Sequence, residues 1–131
     1  MKTPKELVEA FIKDHFAWNA SAHALAEQEA DNSGDAMDEA NRMYTESIIK
    51  VYCRDGFSGE AISFGSDALH EPGKEIIISE EISENQATIK TQHTSDWGFV
   101  SDFKYLLIRI EGEWLLESVD YIDAEGAYPS L

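Results

Sequence analysis

The sequence predicts an α+β fold in which N-terminal helices pack on one face of a mainly antiparallel sheet. Three observations carry that expectation. Residues up to Gly56 repeat apolar side chains at helical spacing, and the period then changes to that of strands. The last two apolar runs, inside Phe103 to Asp123, meet at Glu111-Gly112. A glycine at that point takes the positive φ of a tight two-residue hairpin, so these runs should pair as neighbouring antiparallel strands.

The first helix is announced by Thr3-Pro4-Lys5-Glu6, which supplies a capping hydroxyl, a proline at the first helical position and an acid three residues after the cap. Leu7, Val8, Phe11, Ile12, His15, Phe16, Asn19, Ala22 and Ala26 then share one stripe, with Glu9, Lys13 and Asp14 off it. The helix is expected to end near Asp31-Asn32-Ser33-Gly34. That cluster also caps a second helix, in which Met37, Ala40, Tyr44, Ile48, Val51 and Tyr52 recur at threes and fours before Arg54-Asp55-Gly56 closes it.

Beyond Gly56, Ala61 to Phe64 is a short candidate strand and His70-Glu71-Pro72-Gly73 a loop rich in breakers. Glu75 to Ile82 and Gln86 to His93 follow as strands, with Ile76 and Ile78 expected on the buried face along with Ala87 and Ile89. Phe103 to Ile110 and Glu113 to Ile122 complete a sheet of four to five strands in a single domain, residues 1–131. Leu106-Leu107-Ile108 and Leu115-Leu116 break the alternation. That implies apolar contact on both faces, through curvature, a covering helix or a homodimer partner.

Composition bounds the function. The chain has 131 residues, 43% of them apolar, enough to bury one core without disulfides or metal. Its formal charge is 10 − 26 = −16. Such a surface repels phosphate backbones and anionic membranes, so neither nucleic acid nor membrane is an expected partner and a basic protein is the natural counterpart. The same charge also serves solubility. Cys53 has no second cysteine to pair with, and its apolar setting, VYC, predicts a buried structural thiol in a reducing compartment. MKTPKELVEAFIKDH lacks the apolar core of a signal peptide and no uncharged run is long enough to cross a bilayer, so a cytoplasmic location is expected.

Three segments carry a family likeness: Tyr44 to Cys53 (YTESIIKVYC), Ala61 to His70 (AISFGSDALH), and Trp114 to Asp123 (WLLESVDYID) with Gly126 and Tyr128 behind it. With the order of helices and strands, these resemble the NTF2-like superfamily, and within it the bacterial NTF2-fold immunity proteins. The resemblance implies a cone of helices against a strongly curved sheet. It also implies a non-enzymatic protein that binds and neutralises a cognate toxin domain of a bacterial polymorphic toxin system.

The charge pattern is compatible with that implication. Glu111, Glu113, Glu117, Asp120, Asp123 and Glu125 lie in a run of fifteen residues without a Lys or Arg. By strand alternation Glu117 points opposite to Asp120, so these acids meet a partner together only if flanking loops bring them round. Trp97, in the breaker-rich connection Thr94-Ser95-Asp96-Trp97-Gly98-Phe99, is either an aromatic anchor at a loop tip or a lid folded over the pocket mouth. The expected partner-binding set is Asp96, Trp97, Asp102, Glu113, Glu117, Asp120, Asp123 and Glu125.

The alternative is a small-molecule enzyme or binding protein using the interior of the cone, as isomerases and dehydratases of the superfamily do with an acid or histidine tuned by burial. His15, His70, His93 and Asp120 beside Tyr121 are the residues it would use, with His93 and Asp96 as a strand-end pair. A lone histidine on an apolar stripe is more often a satisfied core residue. Phe11, Phe16, Trp18, Trp114 and Tyr121 are expected to fill the core, leaving the interior plugged and chemically idle. No cofactor and no metal are expected: HxxxH, HxH and CxxC are absent, and His15 and His23 are two helical turns apart, about 12 Å.

Overall fold

A computed structural model describes residues 3–28, 35–54, 70–123 and 126–129. Helices α1 (Pro4–Gln28), α2 (Asp35–Tyr44) and α3 (Lys50–Tyr52), the last two joined by a π-helical turn (Thr45–Ile49), precede five strands. These are β1 (Glu75–Ser83), β2 (Gln86–Thr94), β3 (Val100–Ile110), β4 (Glu113–Asp123) and β5 (Gly126–Pro129). They form one antiparallel sheet in the order β1-β2-β3-β4-β5. The candidate strand Ala61 to Phe64, the Asp31-Asn32-Ser33-Gly34 cap and Asp55-Gly56 lie outside the described residues.

α1 starts where its capping box predicts. The Glu6 backbone N–H donates to Thr3 Oγ1 at 3.2 Å, and the Thr3 N–H donates to Glu6 Oε1 at 3.0 Å. Its buried face runs Leu7, Val8, Phe11, Ile12, His15, Trp18, Asn19 and Ala22. Ala26 is exposed and Phe16 only half-buried, because Trp18 takes the place facing α2, where its Nε1 donates to the Ala40 carbonyl at 2.9 Å. Phe11 packs edge-on against Tyr52, His70 and Tyr105 with ring centroids 5.3 to 5.9 Å apart. Truncating it to alanine would cost about 3–5 kcal/mol.

The second helical region buries Ala36, Ala40, Tyr44, Ile48 and Tyr52, a strict spacing of four, while Met37 and Val51 of the expected stripe are exposed. In an α-helix a repeat of four drifts by about 40° per step. The π turn at Thr45–Ile49, with more residues per turn, rotates the stripe back so that Ile48 and Tyr52 stay in the core. Cys53 then leaves the helix in extended conformation and bridges Leu116 of β4 in parallel. Its thiol is buried, as expected, and burial pushes its pKa up to about 12.

The β3–β4 hairpin turns at Glu111 (φ 52°) and Gly112 (φ 83°), both in the positive region a tight hairpin needs. Two bulges bend the sheet. In β4, Leu106 faces Ser118 and Leu107 faces Leu116, which leaves Glu117 as the extra residue. That insertion puts Trp114, Leu116 and Val119 all on the helix-covered face. In β1 the extra residue is Ile78, between Ile77 opposite Thr91 and Ser79 opposite Lys90.

The inward face of β1 differs from expectation. Ile76 and Ile78 are 55% and 53% exposed, and the positions turned to the core are Glu75 and the half-buried Ile77. An acid takes the inner place because His70, Thr91 and Tyr105 offer it hydrogen bonds there, which no isoleucine could use.

Candidate functional site

The site nearest to the expected interface is the β2–β3 connection. Ser95 organises it: its N–H donates to the Phe99 carbonyl at 2.9 Å, its carbonyl accepts from Gly98 N–H at 3.0 Å, and its Oγ accepts from Phe99 N–H at 3.1 Å. Gly98, at φ 81°, supplies the left-handed residue that closes the turn. These bonds hold Trp97 out at 86% exposure, with Phe99 at 63% beside it. Trp97 is therefore a loop-tip aromatic and does not fold over the interior.

A surface clamp ties this tip to β1. Lys74 Nζ lies 2.8 Å from Asp96 Oδ1 and 2.8 Å from Glu71 Oε2, and its pKa is pushed up to about 12 by the hydrogen bond to Asp96 and then that to Glu71. The Thr94 N–H donates to the Lys74 carbonyl at 3.1 Å. Asp96 thus pairs with Lys74 and not with His93, whose ring is buried.

The remaining nominated acids divide along the sheet. Asp102, opposite Ile122 and 3.4 Å from Gln92 Nε2, is exposed on the outer face near the tip. Asp120 lies on that outer face too, opposite Lys104, so it is not an interior acid; its neighbour Tyr121 turns inward onto Phe103, ring centroids 5.8 Å apart. Glu117, at the bulge, pairs with Arg54 Nε at 3.0 Å. Glu113 sits at the other end of β4, about 30 Å from the tip at the usual rise per residue. The side chains of Asp123 and Glu125 lie outside the described residues.

The interior is packed but not apolar throughout. Glu75, with no exposed side-chain surface, receives three neighbours: His70 Nδ1 at 2.5 Å on Oε1, and the hydroxyls of Thr91 and Tyr105, each at 2.5 Å on Oε2. Burial alone would raise its carboxyl pKa. The charge and hydrogen bond of His70, with the two hydroxyls, outweigh burial and hold it below 4.5. Tyr105, raised well above 10 by burial and then by the Glu75 charge, stays protonated and donates. The His15 ring stacks edge-on to His70 at 4.7 Å. His93 stands opposite Glu75 across β1 and β2. The Nδ1 atoms of both His15 and His93 are buried without a hydrogen-bond partner among the described residues.

The histidines that sequence reasoning weighed one by one are thus gathered round a residue it passed over. The signal available was an acid opening the apolar run Glu75-Ile76-Ile77-Ile78, five residues after one histidine and opposite another. No group of His, Cys, Asp and Glu among the described residues has the arrangement to hold a metal ion. His23 pairs instead with Glu27 on its own helix, at 3.2 Å. A cavity of about 420 Å³ opens between the start of α1 and β1, bordered by Lys5, Glu9, Ile12, Pro72 and Ile76. Glu75 and Ile77 also border it, although the Glu75 side chain exposes no surface to solvent.

Helices laid over one face of a bent antiparallel sheet define an NTF2-like fold. The family described as NTF2 fold immunity protein matches residues 3–127, and the chain belongs to it. No curated protein and no solved structure matches the chain significantly. Among the described residues no helix is long and apolar enough to cross a membrane.

Proposed function

We propose that this immunity protein neutralises a cognate bacterial toxin domain of a polymorphic toxin system by direct capture in the cytoplasm, with no chemistry of its own. The observation that carries the reading is Trp97, a large aromatic held almost fully in solvent by a turn whose backbone groups are bonded to one another. Rigid exposed aromatics are the residues that dominate binding energy once a partner covers them. Around it Asp96, Asp102 and Asp120 form an acidic setting, and β4 ends at Asp123 at this end of the sheet. In this reading a basic toxin surface docks on the tip and the adjoining outer face, while Glu113, Glu117 and Glu125 contribute to long-range attraction.

Co-expression with the toxin encoded next to this protein tests it: cells should survive, and the toxin should be recovered with the immunity protein in a salt-sensitive complex. Loss of viability with every neighbouring toxin would remove the proposal.

A second reading is favoured by the Glu75–His70–Tyr105 group, which has the composition of an acid–base site. Both oxygens of its carboxylate are already engaged inside the core, so it ranks below capture. Turnover of a small molecule that is abolished in Glu75→Gln would reverse that order. The outer face also carries the half-buried Leu106, Ile108 and Leu115 beside exposed Ile110, and a second copy of the chain would cover them. Light scattering at high concentration distinguishes that dimer from a monomer.

A further inference from the structure

The buried acid and the exposed tip are joined by short, continuous structure. Glu75 is the residue after Lys74, whose side chain clamps Asp96 and whose carbonyl receives the Thr94 N–H. The turn before it, His70 to Glu75, is closed by the His70–Glu75 contact and by the Lys74 and Glu75 N–H groups donating to the Glu71 carbonyl at 3.1 and 3.0 Å. On β2, Thr91 bonds Glu75 and His93 faces it, one residue before Thr94. On β3, Tyr105 bonds Glu75, and Phe103 packs on the His70 ring with centroids 4.7 Å apart. Both strands that lead into the Trp97 turn, and the segment that clamps it, are therefore fastened to one carboxylate.

The geometry points to Glu75 as the positioning residue of the Trp97 tip: through His70, Thr91 and Tyr105 it sets the strand ends and the Lys74 clamp, and proton uptake by the interior histidines frees the tip before the rest of the sheet opens. This deepens the capture reading and rests on it for its biological meaning. It makes the partner-facing end an acid-sensitive element of the fold.

The direction follows from what surrounds each histidine. His15 meets Phe11 and Trp18 of its own helix, Tyr44 of α2 and His70, with no acid touching it among the described residues. Burial and the His70 charge both oppose its protonation. His93 feels burial first, then attraction from Glu75, repulsion from His70, attraction from Glu71 and repulsion from Lys74, and the balance lowers its pKa. Each ring gains a proton more easily once its neighbourhood opens. Acid therefore favours whatever opening exposes them, and the cheapest opening is the one nearest the solvent-facing turn.

Amide hydrogen exchange corrected for intrinsic rates tests this on the protein alone, so it succeeds or fails independently of toxin capture. In Glu75→Gln at neutral pH, the amides of Thr94, Ser95 and Gly98 should lose about tenfold in protection, while the Arg109 amide, bonded to the Asn85 carbonyl at the far end, should keep its own. Wild-type protein taken from pH 7 to about pH 5 should show the same split, and His15→Phe should reduce that response. Uniform loss across both ends, or no loss at the tip, overturns the proposal. Should Glu75→Gln fail to fold, the wild-type and His15→Phe pH profiles decide it by the same criterion.

Discussion

Nδ1 of His70 lies 2.5 Å from Oε1 of Glu75 in the closed interior, one residue in sequence from the Lys74–Asp96 ion pair on the surface. A histidine–carboxylate contact in the core and an ion pair at the partner-facing turn are thus mounted on the same short segment. The consequences for binding and for stability can be read separately.

Replacing Trp97 with alanine should weaken toxin capture by about 2 kcal/mol or more, roughly thirtyfold, since exposed aromatic anchors give the largest losses on truncation. Its melting temperature should hardly move, because the ring contributes little buried area to the free protein. Calorimetric titration and a thermal melt on the same sample check both halves. Unchanged affinity would shift the interface away from the tip.

Reversing Asp120 to lysine should slow association with a basic toxin by about tenfold at low salt, and the gap to wild type should close as salt rises, since exposed charges are screened within about 8 Å at physiological ionic strength. The new lysine would face Lys104 across β3 and β4, so a small loss of stability, under about 1 kcal/mol, accompanies it. Stopped-flow association at two salt concentrations is the measurement.

Tyr105→Phe should destabilise the fold by about 1.5–3 kcal/mol, the usual value of a hydrogen bond to a charged group. Urea denaturation at neutral pH measures it. A change below about 0.5 kcal/mol would mean that the tyrosine hydroxyl is not a significant partner of Glu75.

Stability should fall on acidification in two stages. Burial, followed by repulsion from His70, keeps the His15 pKa well below 6.5, and His93 is lowered by its burial in the same direction. Below pH 6.5 the unfolded chain therefore binds more protons than the folded one, and stability drops by up to about 1.4 kcal/mol per pH unit for each group. The Glu75 contribution is complete above pH 4.5 and is lost as pH falls through its lower folded value. Denaturation curves across pH 4 to 8 should slope upward with pH, and His15→Phe should flatten the upper part.

Cys53 should resist a thiol reagent in the folded protein and react freely after denaturation. Its pKa, near 12 from burial, leaves about one thiolate in ten thousand at pH 8. Rapid labelling of native protein would contradict its placement beneath the helix end.

The order of elements, the α1 cap and the β3–β4 turn were legible because each depends on residues adjacent in the chain: Thr3 with Glu6, and Glu111 with Gly112. Burial of Ala87 and Ile89 followed from alternation within β2 alone. Alternation misled in β1 and β4, where Ile78 and Glu117 are bulges. A bulge is set by the partner strand and by what the inner face must satisfy, and β1 carries no local mark of either. The exposed position of Trp97 was one of two open arrangements until the bonds within Ser95 to Phe99 were visible.

From its sequence alone this chain was committed to helices followed by strands, to a single core, and to a surface with a large excess of acid, since spacing and charge are properties of neighbours and sums. Only the tertiary structure decided that His70, Thr91 and Tyr105 converge on Glu75, and that the acids are spread over both ends of the sheet. Residues 5, 16 and 30 positions from Glu75 meet its carboxylate because strand pairing and the closing turn bring them there, and desolvation makes their mutual hydrogen bonds obligatory.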